Sequence, residues 1–174
     1  YYQKKGDLQN TKIGYEKALE IDPNNNIVRS NLANIYYNLG EPNKAEKAFR
    51  EVIKQEPEFG ITYYSLGLLL AELNRIDDAI AEMEKAYALL PDNIRVIYNL
   101  SLMYGKVNNL KAAEKTLKEG ITIYPNNEDL LYALAFQYVN QKEVKKAITI
   151  INKLIQLDPN NSNYQNLMKT LNQA

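Results

Sequence analysis

The chain has 174 residues, with 21 basic and 21 acidic side chains and no His, Cys or Trp, so its formal net charge is zero. The absence of His and Cys excludes Ser-His-Asp and Cys-His catalysis, disulfides, and metal sites ligated by His or Cys. The neutral balance argues against nucleic-acid binding, and apolar runs such as Leu68–Ala71 are far shorter than the ~20 residues of a membrane helix.

A 34-residue period organises the sequence. Five of the six prolines follow it, at Pro23, Pro57, Pro91, Pro125 and Pro159. Twelve residues before these prolines stands a column of mostly small residues, at Thr11, Ala45, Ala79, Ala113 and Ala147. Leucine recurs 25 residues before the last four prolines, at Leu32, Leu66, Leu100 and Leu134. Such a period predicts repeated structural elements that pack on their neighbours.

The first repeat, residues 1–25, is truncated. We expect Tyr1–Lys5 to form the last turn of a first helix, followed by a second helix over Leu8–Ile21 with a partly uncovered apolar side. Native ends of repeat arrays avoid such exposure. This start predicts a fragment of a longer polypeptide, with more repeats or another domain upstream.

The next four repeats, residues 26–59, 60–93, 94–127 and 128–161, each predict two helices. The apolar spacing within Asn26–Leu39 is typical of a first helix, and that within Asp77–Leu89 of a second helix. The two helices of each pair are separated at Gly40, Asn74, Asn108 and Lys142. Glycine and asparagine tolerate the left-handed conformation that ends a helix, and lysine fits it less well. The recurring proline then ends each second helix, because the residue before proline avoids the helical region.

The last segment, residues 162–174, predicts a capping helix. Within Ser162–Asn172, one face is apolar, with Tyr164, Leu167, Met168 and Leu171, and the opposite face is polar. A helix with a polar outer face is typical of the end of a repeat array.

The repeat resembles the tetratricopeptide repeat over essentially the whole chain. The third repeat carries the family's pattern at Tyr63, Leu66, Gly67, Leu70, Ala79, Met83, Ala86 and Pro91. Arg29 departs from it, since a bulky apolar residue is expected there. The resemblance implies an all-α fold, a right-handed superhelix (solenoid) of antiparallel helix pairs, with the first helices lining a concave groove.

By that resemblance, the groove positions form a candidate peptide-binding site. They are Asn31, Asn34, Tyr37, Asn38, Tyr64, Leu68, Arg95, Tyr98, Asn99, Leu102, Tyr132 and Phe136. In this interpretation Tyr and Leu contact apolar side chains of a partner, and Asn pairs with its backbone. Two alternatives stay open: the Tyr and Leu columns only pack adjacent helices together, and the Asn residues reflect an Asn-rich composition.

Two other kinds of site are disfavoured. Some family members bind C-terminal carboxylates with a Lys/Asn/Asn/Lys/Arg clamp, but only Asn34 and Arg95 meet it here, and we predict no high-affinity binding of such acidic tails. The adjacent acidic pairs Asp77-Asp78 and Glu128-Asp129 lie at the starts of predicted helices. Carboxylates there interact favourably with the helix dipole, which explains them without a catalytic role. Nothing in the sequence requires a cofactor or a metal.

These observations predict a non-catalytic scaffold that docks a protein or peptide, with no nucleic-acid partner and no membrane insertion. The alternatives are a regulatory or substrate-positioning module of a larger enzyme or cytochrome-like protein, and self-association into a homo-oligomer. RNA-binding helical repeats have a similar architecture, but they favour 35-residue repeats and basic grooves, and the neutral charge argues against them.

Overall fold

The structure is a computed structural model that describes residues 2–172, and the side chains from residue 6 onward. Ten α-helices and no strand occur in this part of the chain. They are α1 (Tyr2–Ile21), α2 (Asn26–Asn38), α3 (Pro42–Gln55), α4 (Gly60–Glu72), α5 (Ile76–Leu89), α6 (Ile94–Lys106), α7 (Leu110–Ile123), α8 (Glu128–Asn140), α9 (Val144–Leu157) and α10 (Ser162–Asn172). The predicted all-α fold is therefore confirmed.

The helix boundaries follow the sequence period. The 13-residue helices α2, α4, α6 and α8, called here the first helices, begin 34 residues apart, as do the 14-residue helices α3, α5, α7 and α9, called the second helices. Asparagine side chains cap three of the four first helices: Asn25, Asn93 and Asn127 each accept hydrogen bonds from backbone N–H groups of the first turn. Pro42 begins α3, where its missing N–H costs nothing.

Each first helix ends in a turn with a left-handed residue. The φ angles are +78° at Gly40, +59° at Asn74, +57° at Asn108 and +59° at Lys142. Lys142 therefore adopts the same backbone as its glycine and asparagine counterparts, although a side chain such as that of lysine fits this region less readily. The hairpin geometry thus overrides local residue preference in the last repeat.

The truncated first repeat differs from expectation. We predicted a break after Lys5, but α1 continues unbroken from Tyr2 to Ile21, and Gly6 has no left-handed φ although it shares the column of Gly40. A turn at Gly6 would break helical hydrogen bonds. The five residues before Gly6 are too few to form a separate helix whose packing would compensate for that loss. Tyr1, residues 173–174 and the side chains of residues 2–5 lie outside the described residues.

The chain divides into two compact units, and each has its own core. Unit 1 extends to Pro91 and unit 2 begins at Asp92. In unit 1, α1 to α5 pack in chain order, and Phe49, Leu66 and Met83 are among the fully buried side chains. In unit 2, α6 to α10 pack in chain order, with Ile97, Leu117 and Leu134 buried. The capping helix α10 buries Tyr164 and Leu171 and exposes Gln165 and Lys169.

Small residues let the helices of one hairpin approach each other. The column Ala33, Gly67, Ser101 and Ala135 is buried in all four first helices. A β-carbon added at Gly67 would lie 3.0 Å from Met83 Cε and 3.3 Å from the carbonyl oxygen of Ala79. A methyl group at Gly67 would therefore make tighter contacts than usual, and Met83 or the α5 backbone would have to move by a few tenths of an ångström.

Candidate functional site

The predicted site residues all lie on the first helices and are divided between the two units. Unit 1 holds Asn31, Asn34, Tyr37 and Asn38 on α2, and Tyr64 and Leu68 on α4. Unit 2 holds Arg95, Tyr98, Asn99 and Leu102 on α6, and Tyr132 and Phe136 on α8. We call the surface formed by these residues in each unit its first-helix face.

The first-helix face of unit 1 is polar on α2 and more apolar on α4. Asn31, Asn34 and Asn38 are exposed, and Tyr37 is half-buried. On α4, Tyr64 and Leu68 are both half-buried, which places part of each side chain against protein and part against solvent. This face therefore combines amide groups with a limited apolar surface.

The asparagine amides are largely engaged with their own helices. The Nδ2 group of Asn34 donates to the Ser30 carbonyl at 3.1 Å, that of Asn38 to the Asn34 carbonyl at 2.9 Å, and that of Asn99 to the Arg95 carbonyl at 2.8 Å. Each bond joins residues four apart on one helix. Each bond uses one of the two N–H donors of the amide, and the side chains of Asn34 and Asn38 are otherwise exposed to solvent.

The first-helix face of unit 2 is strongly apolar. Leu102 is 44% exposed, Tyr132 is 40% exposed and Phe136 is 53% exposed, while Tyr98 beside them is half-buried. Helix α6 contacts α8 directly, so these side chains lie on adjoining elements. Large apolar side chains in adjoining columns form a surface that water solvates poorly.

The capping helix packs a buried tyrosine against this face, a contact which the sequence did not predict. The rings of Tyr132 and Tyr164 lie 6.0 Å apart between centroids, tilted by 40°. The Tyr164 hydroxyl donates to Glu128 Oε2 at 2.9 Å, and burial together with that carboxylate raises the pKa of Tyr164 to about 12. Tyr164 lies 32 residues after Tyr132, two short of the repeat period, so the column alignment does not pair them.

Other perturbed titratable groups tie helices together away from the first-helix faces. The Tyr36 hydroxyl donates to Glu16 Oε1 at 3.0 Å, and burial together with this bond raises the pKa of Tyr36 to about 12. The Tyr138 hydroxyl donates to Glu114 at 2.9 Å, and burial raises the pKa of Tyr138. These pairs join a first helix to an earlier second helix, or to α1, and are structural ties.

Over the described residues, no group of three or more acidic side chains could hold a metal ion. No helix between residues 2 and 172 combines the length and apolarity needed to cross a membrane. The polar chemistry of the first-helix faces thus consists of amide, hydroxyl and guanidinium groups, which suit hydrogen bonding to a partner.

Three sequence families match the chain. Residues 48–165 match the family described as the cytochrome c-type biogenesis protein H TPR domain, and two tetratricopeptide repeat families match residues 27–59 and 1–25. The first of these matches covers more than half of the chain.

Individual proteins agree with that result. Small glutamine-rich tetratricopeptide repeat-containing protein 2 of Mycosarcoma maydis is 30% identical over 79 residues, which are 45% of this chain and 22% of that protein. The chain thus spans about a fifth of the length of that relative. The crystal structure of MamA has a TM-score of 0.80 at 23% identity, covering 93% of this chain and 95% of the other. YrrB, described as a TPR protein with an unusual peptide-binding site, has a TM-score of 0.77 at 20% identity, covering 94% and 84%.

Proposed function

The chain belongs to the tetratricopeptide repeat family, whose fold is a protein-interaction scaffold, and on that premise we propose that it docks a peptide segment or partner protein without catalysing a reaction. The docking surface we propose is the first-helix face of each unit. YrrB has the same fold and a peptide-binding site, which supports a peptide as the partner.

The exposed apolar strip of unit 2 carries this proposal. Leu102, Tyr132 and Phe136 each leave about half of their side chain in solvent, although the same helices bury Leu100 and Leu134 almost completely. Exposing three large apolar side chains together costs solvation free energy, which a bound partner would recover by covering them. Aromatic residues in such a patch are typical anchors of protein interfaces.

The exposed amide groups of unit 1 favour a partner with accessible backbone N–H groups. In unit 1, Asn34 and Asn38 are exposed and one N–H of each amide bonds to a carbonyl of α2, so we propose that the side-chain oxygens serve as acceptors for a partner. An extended peptide presents N–H donors at regular intervals and would match such acceptors. We therefore assign the exposed asparagines to backbone recognition and the apolar side chains to side-chain recognition.

A free carboxylate is a poor candidate for the partner's anchoring group. Ser30 and Ser65 stand at positions where a Lys and an Asn of the carboxylate clamp are expected, and the Ser65 hydroxyl donates to the Ile61 carbonyl at 3.0 Å. We expect peptides that end in an acidic pair and a free carboxylate not to bind at low micromolar Kd.

The test is partner recovery with two matched double variants. Leu102→Ser/Phe136→Ser removes the exposed strip, and Ile123→Ser/Leu157→Ser removes two apolar residues of similar exposure at the ends of α7 and α9. All four are partly exposed, so both proteins should fold as judged by circular dichroism. We expect the first variant to lose captured peptides or proteins and the second to retain them. Equal recovery by both would refute docking on this face.

Two alternatives are favoured by specific observations. The match to the cytochrome c-type biogenesis protein H domain favours a regulatory or substrate-positioning module of a larger enzyme or cytochrome-like protein. Ile13 and Ile21 on α1 are 48% and 87% exposed, which favours self-association through that helix. Light scattering across a concentration series tests the latter, since a constant monomer mass at high concentration would exclude it.

A further inference from the structure

A cleft of about 480 Å³ opens in unit 1 between α1, α2 and α3. Its volume lies within the range of small-molecule sites in proteins. Its lining combines apolar side chains with charged side chains of both signs, namely Glu16, Leu19 and Glu20 on α1, Arg29, Leu32 and Tyr36 on α2, and Lys44, Lys47, Ala48 and Glu51 on α3. None of the predicted first-helix-face residues lines it.

Two departures from the repeat pattern open this cleft. The column of Arg29 holds Tyr63, Ile97 and Leu131 in the other first helices, and these three side chains are almost fully buried. The column of Ala48 holds Glu82 and Thr116, which are 8% and 5% exposed, and Ile150. The cleft therefore exists where an arginine and an alanine replace residues that fill the corresponding space.

The Arg29 side chain does not fill the space that the apolar residues of its column occupy, because its guanidinium is hydrogen-bonded to other groups. One terminal nitrogen of Arg29 donates to Glu51 Oε2 at 2.8 Å, and the other donates to the Pro23 carbonyl. The Nε atom is buried without a hydrogen-bond partner. The side chain is only 16% exposed, and its positive charge is already paired with the Glu51 carboxylate.

Two charged side chains that line the cleft from opposite sides have no partner within the described chain. Glu20 on α1 and Lys47 on α3 both line the cleft, and neither forms a hydrogen bond or an ion pair with any described residue. They also do not pair with each other across the opening. Leu19, Leu32 and Ala48 contribute apolar side chains to the same lining. A carboxylate, an ammonium group and an apolar surface together complement one class of small molecule.

We propose that this cleft binds a small zwitterion with an aliphatic body, of the amino-acid or dipeptide class. The ligand's ammonium group would lie against Glu20, its carboxylate against Lys47, and its aliphatic side chain against Leu32 and Ala48. Charge-assisted hydrogen bonds at both ends fix the orientation, and burial of the side chain supplies the apolar contribution. This site lies apart from the first-helix faces and does not depend on the docking function proposed for them.

Ligand analogues test each element of this recognition. Titrations of the whole chain, followed by NMR chemical shifts of backbone amides, would use leucine, leucyl-leucine, glycine, N-acetyl-leucine and leucinamide at millimolar concentration. We expect leucine or leucyl-leucine to shift amides of α1 to α3. Glycine lacks the aliphatic body, N-acetyl-leucine lacks the ammonium and leucinamide lacks the carboxylate, so each should bind at least about threefold more weakly. Comparison of the first two ligands decides between a free amino acid and a dipeptide.

Variants then locate the site. Glu20→Gln and Lys47→Gln should each weaken binding by about threefold or more, whereas Glu58→Gln and Lys54→Gln change the same charges outside the cleft and should bind as the wild type does. Arg29→Ile and Ala48→Ile install residues found at the same columns, Ile97 and Ile150. They should fold normally and abolish binding by filling the space.

Three outcomes would overturn the proposal. One is that no ligand shifts amides of α1 to α3. Another is that all five ligands bind equally, which would mean that the charges of Glu20 and Lys47 play no part in recognition. The third is that Ala48→Ile binds leucine or leucyl-leucine as well as the wild type does while its circular dichroism spectrum is unchanged.

Discussion

Gly120 on α7 packs so closely on α6 that a β-carbon built at this position would lie 2.7 Å from Ile97 Cγ2. It would also lie 3.0 Å from Leu130 Cδ1 on α8. The positions equivalent to Gly120 in the other repeats are Val52, Ala86 and Leu154, and all three are fully buried. Here the bulk of Ile97 and Leu130 fills the space that a side chain occupies in the other repeats.

We therefore expect Gly120→Ala to destabilise the protein, by about 1–3 kcal/mol, because the added methyl group overpacks the core of unit 2. The measurement is urea unfolding followed by circular dichroism. Gly105→Ala is the matched control: Gly105 lies in α6 with no atom near an added β-carbon, so alanine should stabilise the helix by about 0.5–1 kcal/mol. An increase in stability for both variants would contradict the close packing of Gly120.

Arg29→Ile should raise the stability of unit 1. The substitution replaces a mostly buried cation, whose Nε has no hydrogen-bond partner, by isoleucine, the residue that stands at the equivalent position, Ile97. Because Glu51 is 41% exposed, its carboxylate stays solvated when the arginine is removed, and burial of the isoleucine side chain should raise the free energy of unfolding by about 1–3 kcal/mol. Urea unfolding would measure the gain. Arg50→Ile, at a side chain that is 48% exposed, should show none.

The sequence predicted the regular parts of this fold because each depends on local residues. The predicted helices Asn26–Leu39, Asp77–Leu89 and Ser162–Asn172 agree with α2, α5 and α10 to within one residue. The break expected near Gly6 was wrong, because a hairpin turn requires a packed partner helix as well as a permissive residue. The cleft beside Arg29 also escaped prediction, since the departure at residue 29 was visible but the direction of its guanidinium was not.

The candidate site was assigned from the resemblance to the family, and its role stays a prediction. That resemblance assigned Leu102, Tyr132 and Phe136 to the groove side of the first helices, and the structure leaves all three partly exposed. The bonds from Asn34 and Asn38 to their own helix depend on side-chain rotamers, which periodicity does not specify. Whether these side chains bind a partner stays a prediction.

The Tyr36–Glu16 hydrogen bond should make stability depend on alkaline pH. The pKa of Tyr36 in the folded chain is about 12, above its ordinary value of 10.0, because burial and Glu16 favour the protonated hydroxyl. Its contribution is therefore complete below pH 10 and is lost as the pH rises towards 12. Tyr36→Phe should lower the free energy of unfolding by about 1 kcal/mol below pH 10, and this difference should shrink above it.

Urea midpoints measured across that pH range would test the Tyr36 prediction. Tyr132→Phe is a suitable control, because the Tyr132 ring is 40% exposed and no hydrogen bond of its hydroxyl occurs within the described chain. Its midpoints should follow those of the wild type. A difference between Tyr36→Phe and wild type that stays constant up to pH 12 would count against the hydrogen bond as the source.

The Glu114 carboxylate should make stability depend on acidic pH in the opposite sense. Lys118 donates to Glu114 at 2.5 Å, and this bond, followed by that of Tyr138, lowers the pKa of Glu114 below its ordinary value of 4.5. The contribution of the ionised carboxylate is present above pH 4.5 and is lost as the pH falls through the lowered pKa. Glu114→Gln keeps an acceptor for Tyr138 and removes only the charge. Its free energy of unfolding should be lower by about 0.5–1 kcal/mol at neutral pH and should converge with the wild-type value in acid, whereas Glu58→Gln should show no such convergence.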